Sequence, residues 1–354
     1  MQAIRVLIVD DSALIRKLLT GIFESSPGIE VVGTAEDPIR AREKIKKLNP
    51  DVLTLDVEMP RMDGLTFLSN LMRLRPMPVV MISSLTEKGA DVTLRALELG
   101  AVDFVAKPKI DISNGLNSYA EEIIAKIKSA ASASVKSLNN CQKNGNSAPG
   151  RICTRLTGKE PKSASLTGKI IALGASTGGT EAIKQVVRNL PATTPALMIS
   201  QHLPLAFSES FARHVDEVSE MTVCIASDRQ PICSGNVYIA PGDKHLTVIK
   251  NGGHYVCRLD DGPNVNRHKP SVDVMFESVA SIVGSKAIGV LLTGMGADGA
   301  KGMEAMHKTG SSTIIQDEQT SVVWGMPGEA FRLGCTDHVV PLNRVADKIL
   351  DLID

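Results

Sequence analysis

The sequence predicts two α/β domains in series, and three observations predict them. Residues 1–129 repeat a short apolar run followed by a helical period five times, the pattern of a doubly wound parallel (βα)5 sheet. Residues 165–354 carry further apolar runs that break into Gly-rich turns. They predict a second α/β domain with a parallel sheet and an antiparallel extension. Over 130–164 the periodicity dissolves into Ser, Asn, Lys, Gly and Pro, as in a flexible linker.

Composition agrees with that division. The chain has 354 residues, enough for two cores. Acidic and basic residues balance at 39 each, so no net charge points to nucleic acid or to a membrane surface. The six cysteines show no C-x-x-C pair and no metal spacing. They read as reduced thiols of a cytoplasmic protein, with Cys141 and Cys153 in the polar stretch. No run is long and apolar enough to span a membrane, and no signal-peptide pattern opens the chain.

In the first domain the strand candidates are 5–9, 30–35, 52–55, 79–83 and 103–106. Most are short and rich in Val, Ile or Leu, as strands covered on both faces should be. Helical periods run over 12–24, 39–48, 65–74, 90–99 and 119–129, and Pro76 helps to end the third. Polar residues fall at the strands' carboxyl ends, where such sheets carry function. Asp10 and Asp11 close the first strand, Asp56 the third, Ser83 the fourth and Lys107 the fifth. Carboxylates this close disfavour one another's ionisation unless a cation joins them. Oxygen ligands with room for water suit Mg2+. With an ammonium and a hydroxyl added, the set can stabilise a phosphoryl group on one carboxylate.

These residues carry a resemblance. The runs Val-Asp10-Asp11-Ser, Leu-Asp56-Val-Glu-Met-Pro-Arg-Met-Asp-Gly and Phe104-Val-Ala-Lys107-Pro108, with Ser83, are those of a response regulator. Residues 1–129 resemble the flavodoxin-like receiver domain of that family. The resemblance implies that Asp56 is the phosphoacceptor. It implies that Asp10, Asp11, Asp56 and the backbone carbonyl of Glu58 hold Mg2+. Lys107 would contact the phosphoryl group, and Ser83 and Phe104 would be the switch pair that reports it.

The second domain is organised around 169–180, Lys-Ile-Ile-Ala-Leu-Gly-Ala-Ser-Thr-Gly-Gly-Thr. A buried strand over 170–173 runs into a tight turn over 174–179. Thr180 is the expected N-cap of a helix over 181–189. Ser176 therefore stands on a strand–turn–helix corner between small residues, where a nucleophile's hydroxyl can project. A Gly-rich turn that only packs a helix, or that receives a phosphate, has the same local pattern.

A strand over 196–200 ends in Gln201-His202 and leads to a helix over 207–214. His202, His214 and His268 compete as general base, and the strand-end location favours His202. Short strands over 236–240, 245–250 and 255–259, with a turn at Asn251-Gly252-Gly253, predict the antiparallel part. A helix follows over 271–283. A strand over 287–293 runs into Gly294-Met295-Gly296-Ala297-Asp298-Gly299, then a helix over 300–308. Asp298 is the preferred acid. Asp273 and Asp317 are its rivals, and Asp317 also follows a strand, 313–316. Ser176, His202 and Asp298 make a triad in the chain order Ser…His…Asp.

The motifs Leu-Gly-Ala-Ser176-Thr-Gly-Gly-Thr-Glu-Ala-Ile, Gln-His202-Leu-Pro, Tyr-Ile-Ala-Pro-Gly, Lys-Pro-Ser-Val-Asp-Val and Leu-Thr-Gly-Met295-Gly-Ala-Asp298-Gly carry a second resemblance. Residues 165–354 are similar to the catalytic domain of the chemotaxis protein-glutamate methylesterases, the CheB family. The resemblance implies hydrolysis of γ-glutamyl methyl esters on methyl-accepting chemotaxis receptors, and deamidation of receptor glutamines. Ser176 would attack, His202 would move the proton and Asp298 would hold the imidazole. The Met295 amide would bind the oxyanion, with a second contribution from the turn at Ser176 and Thr177. The esterase step is expected to need no cofactor. The expected phosphodonor is the chemotaxis histidine kinase CheA, and no nucleic acid or membrane insertion is expected.

Three other readings compete. A DNA-binding output module would be shorter and less strand-rich. A nucleotide-binding loop would carry the Lys of a P-loop or the spacing G-x-G-x-x-G. A general small-molecule esterase differs only in substrate.

Overall fold

The computed structural model describes residues 3–59, 62–83, 86–107, 116–133 and 168–353. The chain divides into two compact units, Met1–Asn140 and Cys141–Asp354. Most of the expected linker, 134–164, lies outside the described residues, as does Pro108.

The first unit runs β1 (Ile4–Val9), α1 (Ala13–Glu24), β2 (Ile29–Ala35), α2 (Pro38–Leu48), β3 (Val52–Asp56), α3 (Gly64–Leu74), β4 (Val79–Ser83), α4 (Glu87–Glu98), β5 (Asp103–Ala106) and α5 (Leu116–Ala131). The five strands pair in parallel in the order β2-β1-β3-β4-β5. β3 and β4 are buried along their whole length, which is why they read as unbroken apolar runs. Polar caps open the helices: Ser12 accepts from Ile15 N, Asp37 from Arg40 N and Asp63 from Thr66 N. The strand order reverses between β1 and β3, so the crevice at their carboxyl ends is flanked by Asp10 and Asp56.

The second unit opens with β6 (Ile170–Ala175), α6 (Gly179–Arg188), β7 (Ala196–Gln201), α7 (Leu205–Asp216), β8 (Thr222–Ile225) and β9 (Asn236–Ile239). β10 (His245–Asn251), β11 (His254–Asp260), α8 (Val272–Ile282), β12 (Ala287–Leu291) and α9 (Ala300–Lys308) follow. β13 (Ser312–Gln316), α10 (Met326–Arg332), β14 (His338–Val340) and α11 (Val345–Ile353) complete it. Seven strands form a parallel sheet in the order β14-β13-β12-β6-β7-β9-β8. β10 and β11 form the antiparallel pair, as a separate two-stranded sheet. Of the three short strands expected there, Asn236–Ile239 instead joins the main sheet in parallel beside β7.

The corner after β6 also departs from expectation. Thr180 is not the N-cap; Gly178 is, at φ 75°, and α6 begins at Gly179. Glycine is required there by space as well as by φ, because a Cβ would stand 2.7 Å from Val322 Cβ. Behind the corner, α8 lays Val272, Met275, Phe276 and Val279 into the core with Met303 and Met306 of α9. Among the described residues no helix is long and apolar enough to cross a membrane.

Candidate active site

Ser176, His202 and Asp298 follow β6, β7 and β12, three adjacent strands. The strand order reverses beside β6, between β7 on one side and β12 on the other, which opens a crevice at these carboxyl ends. Ser176 N donates to Thr293 O at 3.0 Å, and Gln201 Nε2 donates to Ser176 O at 3.0 Å. The serine backbone is thus tied to both neighbouring strand ends while its hydroxyl is left to project.

The structure brings the three side chains together. Ser176 Oγ lies 3.0 Å from His202 Nδ1, and His202 Nε2 lies 2.8 Å from Asp298 Oδ2. A carboxylate only accepts, so Nε2 carries the proton and donates it to Asp298. Nδ1 is left bare to accept from the Ser176 hydroxyl. Asp298 is buried, and burial alone would raise its pKa; the bond from His202, with those from Asn266 and Ser271, outweighs it. The carboxyl is held well below the usual carboxylate range.

Asp298 is saturated with donors. Oδ1 accepts from Asn266 Nδ2 and Ser271 Oγ, each at 2.7 Å, and Oδ2 accepts from Val272 N at 2.7 Å. Neither Asn266 nor Ser271 was singled out for a role by sequence reasoning. Both stand in the irregular stretch Asn-Arg-His-Lys-Pro-Ser, and Ser271 also lies in the motif Lys-Pro-Ser-Val-Asp-Val that carries the resemblance.

The rivals fall elsewhere. Asp317 Oδ1 accepts from Thr320 N at 3.0 Å and closes the loop after β13. His214 lies in the last turn of α7. The Asp273 carboxylate does not reach His202; it meets the site through Asn266, while the Asp273 N–H donates to Asp298 Oδ1 at 3.3 Å. His268 lies on the face of the His202 ring. Of the expected oxyanion donors, Met295 follows Gly294, where a Cβ would press on Ser176 Cβ at 2.9 Å. Among the described residues no acceptor takes the Met295 N–H. Thr177 is buried, and its carbonyl accepts from Thr293 Oγ1 at 3.0 Å.

The first unit has its own site. Asp10, Asp11 and Asp56 bring carboxylate oxygens within 4.8 Å of one another, Asp10 and Asp56 buried and Asp11 exposed. Lys107 Nζ donates to Asp56 Oδ2 at 2.7 Å and stands 3.9 Å from Asp10 Oδ2. Burial, against the Lys107 bond and with the charge of Asp10, pushes the Asp56 carboxyl up to about 6. Asp10 Oδ2 is buried and accepts no hydrogen bond among the described residues. An oxygen-only set with one buried, unsatisfied carboxylate oxygen fits a hard divalent cation such as Mg2+. Glu58 N donates to Asp56 Oδ1 at 3.3 Å, which folds that loop over the site. Ser83 Oγ is held by α4, accepting from Thr93 Oγ1 at 2.5 Å. Phe104 is buried, with Lys126 Nζ 5.0 Å from its ring centroid.

The fold and the sites define a class: a parallel α/β unit with a hydroxyl–imidazole–carboxylate relay at its strand ends, following along the chain another α/β unit with an acidic crevice. Comparison with known proteins gives the family. Residues 171–349 match the CheB methylesterase family and residues 6–116 the response regulator receiver domain family. The chain belongs to the CheB methylesterase family. It is 58% identical to a Hydrogenovibrio crunogenus protein-glutamate methylesterase/protein-glutamine glutaminase, over 100% of both chains. It is 56% identical to a Xanthomonas campestris pv. campestris protein-glutamate methylesterase/protein-glutamine glutaminase, over 99% of this chain and 97% of that one. The catalytic domain of Thermotoga maritima CheB methylesterase superposes with a TM-score of 0.52 at 38% identity, covering 52% of this chain and 99% of that one.

Proposed function

We propose that this chain hydrolyses γ-glutamyl methyl esters on methyl-accepting chemotaxis receptors and deamidates receptor glutamines, under control of its receiver domain. The observation that carries the reading is the unbroken relay from Ser176 Oγ through His202 to Asp298, at 3.0 and 2.8 Å. Family membership supports the substrate class, since relatives at 56–58% identity carry both activities in their names.

In this reading Ser176 Oγ attacks the ester carbonyl carbon while its proton passes to His202 Nδ1. The tetrahedral oxyanion is received by the Met295 N–H, with Thr177 N–H as second donor; one such donor is worth about 3 kcal/mol. Collapse breaks the C–O bond to the methoxy group, and His202 Nδ1–H protonates it, so methanol leaves. Water, deprotonated by His202, then cleaves the acyl-serine to glutamate. Asp298 holds the Nε2–H tautomer throughout and supports the imidazolium. A glutamine amide follows the same course with ammonia as leaving group.

In the receiver, Asp56 would take a phosphoryl group from a histidine kinase of the CheA kind, an O–P bond forming as the N–P bond breaks. Asp10, Asp11, Asp56 and the Glu58 carbonyl would hold Mg2+, which when bound offsets the charge gathered on the phosphoryl oxygens. Lys107 would contact that group, and Ser83 and Phe104 would relay its presence. The proposed division is a receiver over 1–129, a linker over 130–164 and a catalytic domain over 165–354, in a cytoplasmic protein.

Ser176→Ala tests the reading. It should fold normally and release no methanol from methyl-esterified receptor membranes. Release near the wild-type rate would refute it.

A further inference from the structure

The turn Val265–His268 is closed on itself. Val265 N donates to His268 O at 3.0 Å and His268 N donates to Val265 O at 2.9 Å. Its two central residues, Asn266 and Arg267, have φ of 51° and 69°. Side chains rarely accept that region, and Asn accepts it best. The conformation delivers the Asn266 amide beneath Asp298.

There the amide meets two carboxylates. Asn266 Nδ2 is 2.7 Å from Asp298 Oδ1 and 2.7 Å from Asp273 Oδ2. Both of its N–H groups are spent, one on each acid. Asp298 and Asp273 are 2% and 4% exposed, so water screens the two charges only weakly. The other Asp273 oxygen accepts from Gly302 N at 2.7 Å. Two buried like charges this close disfavour each other. Burial, opposed by the Gly302 N–H and reinforced by the charge of Asp298, already pushes the Asp273 carboxyl up.

We propose that Asn266 is a positioning residue for hydrolysis: its amide holds the Asp298 and Asp273 carboxylates apart, so that Asp298 faces His202 with its full charge. The proposal rests on the serine-hydrolase reading above. Without the amide, the two acids relieve their repulsion by sharing a proton. Asp273 and Asn266 line an open cavity of about 450 Å3, through which water can bring that proton. Asp273 would then donate to Asp298, and Asp298 would meet His202 already part-neutralised. The imidazolium that forms during attack would lose support, while substrate binding would be untouched.

The test is Asn266→Gly in the full chain, since glycine adopts the turn's backbone angles freely. Methanol release from methyl-esterified receptor membranes should show kcat lower by about tenfold or more, with KM within about twofold. Adding Asp273→Asn should then restore most of kcat, because no second acid remains to share a proton. A merely structural turn residue would not be rescued by removing a charge on α8. An unchanged kcat in Asn266→Gly, or a loss that Asp273→Asn does not lessen, overturns the proposal. Should the glycine variant fail to fold, Asn266→Ser keeps one donor for one acid and is judged by the same rescue. Ser176→Ala separates the two assignments. If it keeps activity, the hydrolytic reading fails; if it is inactive while Asn266→Gly is fully active, only the role of Asn266 fails.

Discussion

The His268 ring lies flat on the His202 ring, with centroids 3.8 Å apart and planes 11° apart. The stack holds the imidazole in the plane that joins Ser176 to Asp298. In the proposed mechanism it also sets a π face against the imidazolium formed during attack; a cation over an aromatic face gains about 0.5–2 kcal/mol. His268→Ala should therefore lower kcat by between about twofold and thirtyfold. His268→Phe, which keeps the face, should stay near wild type. Equal losses in the two variants would show that stacking is not what His268 contributes.

Asp298 and Asp317 both follow strands, yet only Asp298 reaches His202. Asp298→Asn should cut kcat about a thousandfold or more, and Asp317→Asn should leave it near wild type. Asp298 also couples stability to pH. Its folded pKa lies below its unfolded value, so its charge stabilises the fold above about pH 4. That contribution fades as pH falls through the folded value. The Tm advantage of wild type over Asp298→Asn should hold above about pH 5 and narrow progressively as pH falls below about 4. A constant gap would argue against the buried, ionised carboxylate.

Asp56 should be the site of phosphorylation. Label from a phosphorylated histidine kinase or from acetyl phosphate should be absent in Asp56→Asn, and absent from wild type after divalent ions are chelated. Undiminished hydroxylamine-labile label in the variant would place the phosphoryl group elsewhere.

The fragment 165–354 should hydrolyse methyl esters faster than the unphosphorylated full chain. The reasoning is from the proposed linker: a flexible tether of about 35 residues has a root-mean-square span of roughly 30 Å, at which even a weak covering contact would form often. Equal rates would mean that the receiver does not cover the site. A phosphorylated full chain faster than the fragment would mean that the receiver also assists directly.

Much of this was legible before any coordinates, for physical reasons. Buried parallel strands such as β1 and β6 announce themselves as apolar runs, and the residues at their ends are few. That put Ser176, His202 and Asp298 among a few candidates, with Asp317 equally placed by position and separated from Asp298 by the family motifs, and it gathered the acids around Lys107. Three- and four-residue edge strands carry no such signature, so β8 and β14 went unread. α10 was hidden by Pro327 and Gly328, which read as breakers although the proline sits in the helix's first turn. The pairing of Asn236–Ile239 is set by the neighbour it meets, which no local pattern states. Asn266 was invisible as a partner of Asp298 because the two are 32 residues apart in sequence.

Lys169 Nζ donates to the carbonyls of Leu352 and Ile353, at 2.6 and 2.7 Å. The described part of the second unit, 168–353, therefore has its two ends side by side, at the amino end of β6. Ser176 stands at the other end, the height of the sheet away, roughly 20 Å along an extended strand. Gly168 lies at the end of this sheet remote from the nucleophile. About six residues of extended chain are consumed in climbing that height alone. Shortening the proposed linker should thus show a threshold: control of methyl-ester hydrolysis by the receiver should persist above it and be lost below it, where the chain is a leash too short to reach the door.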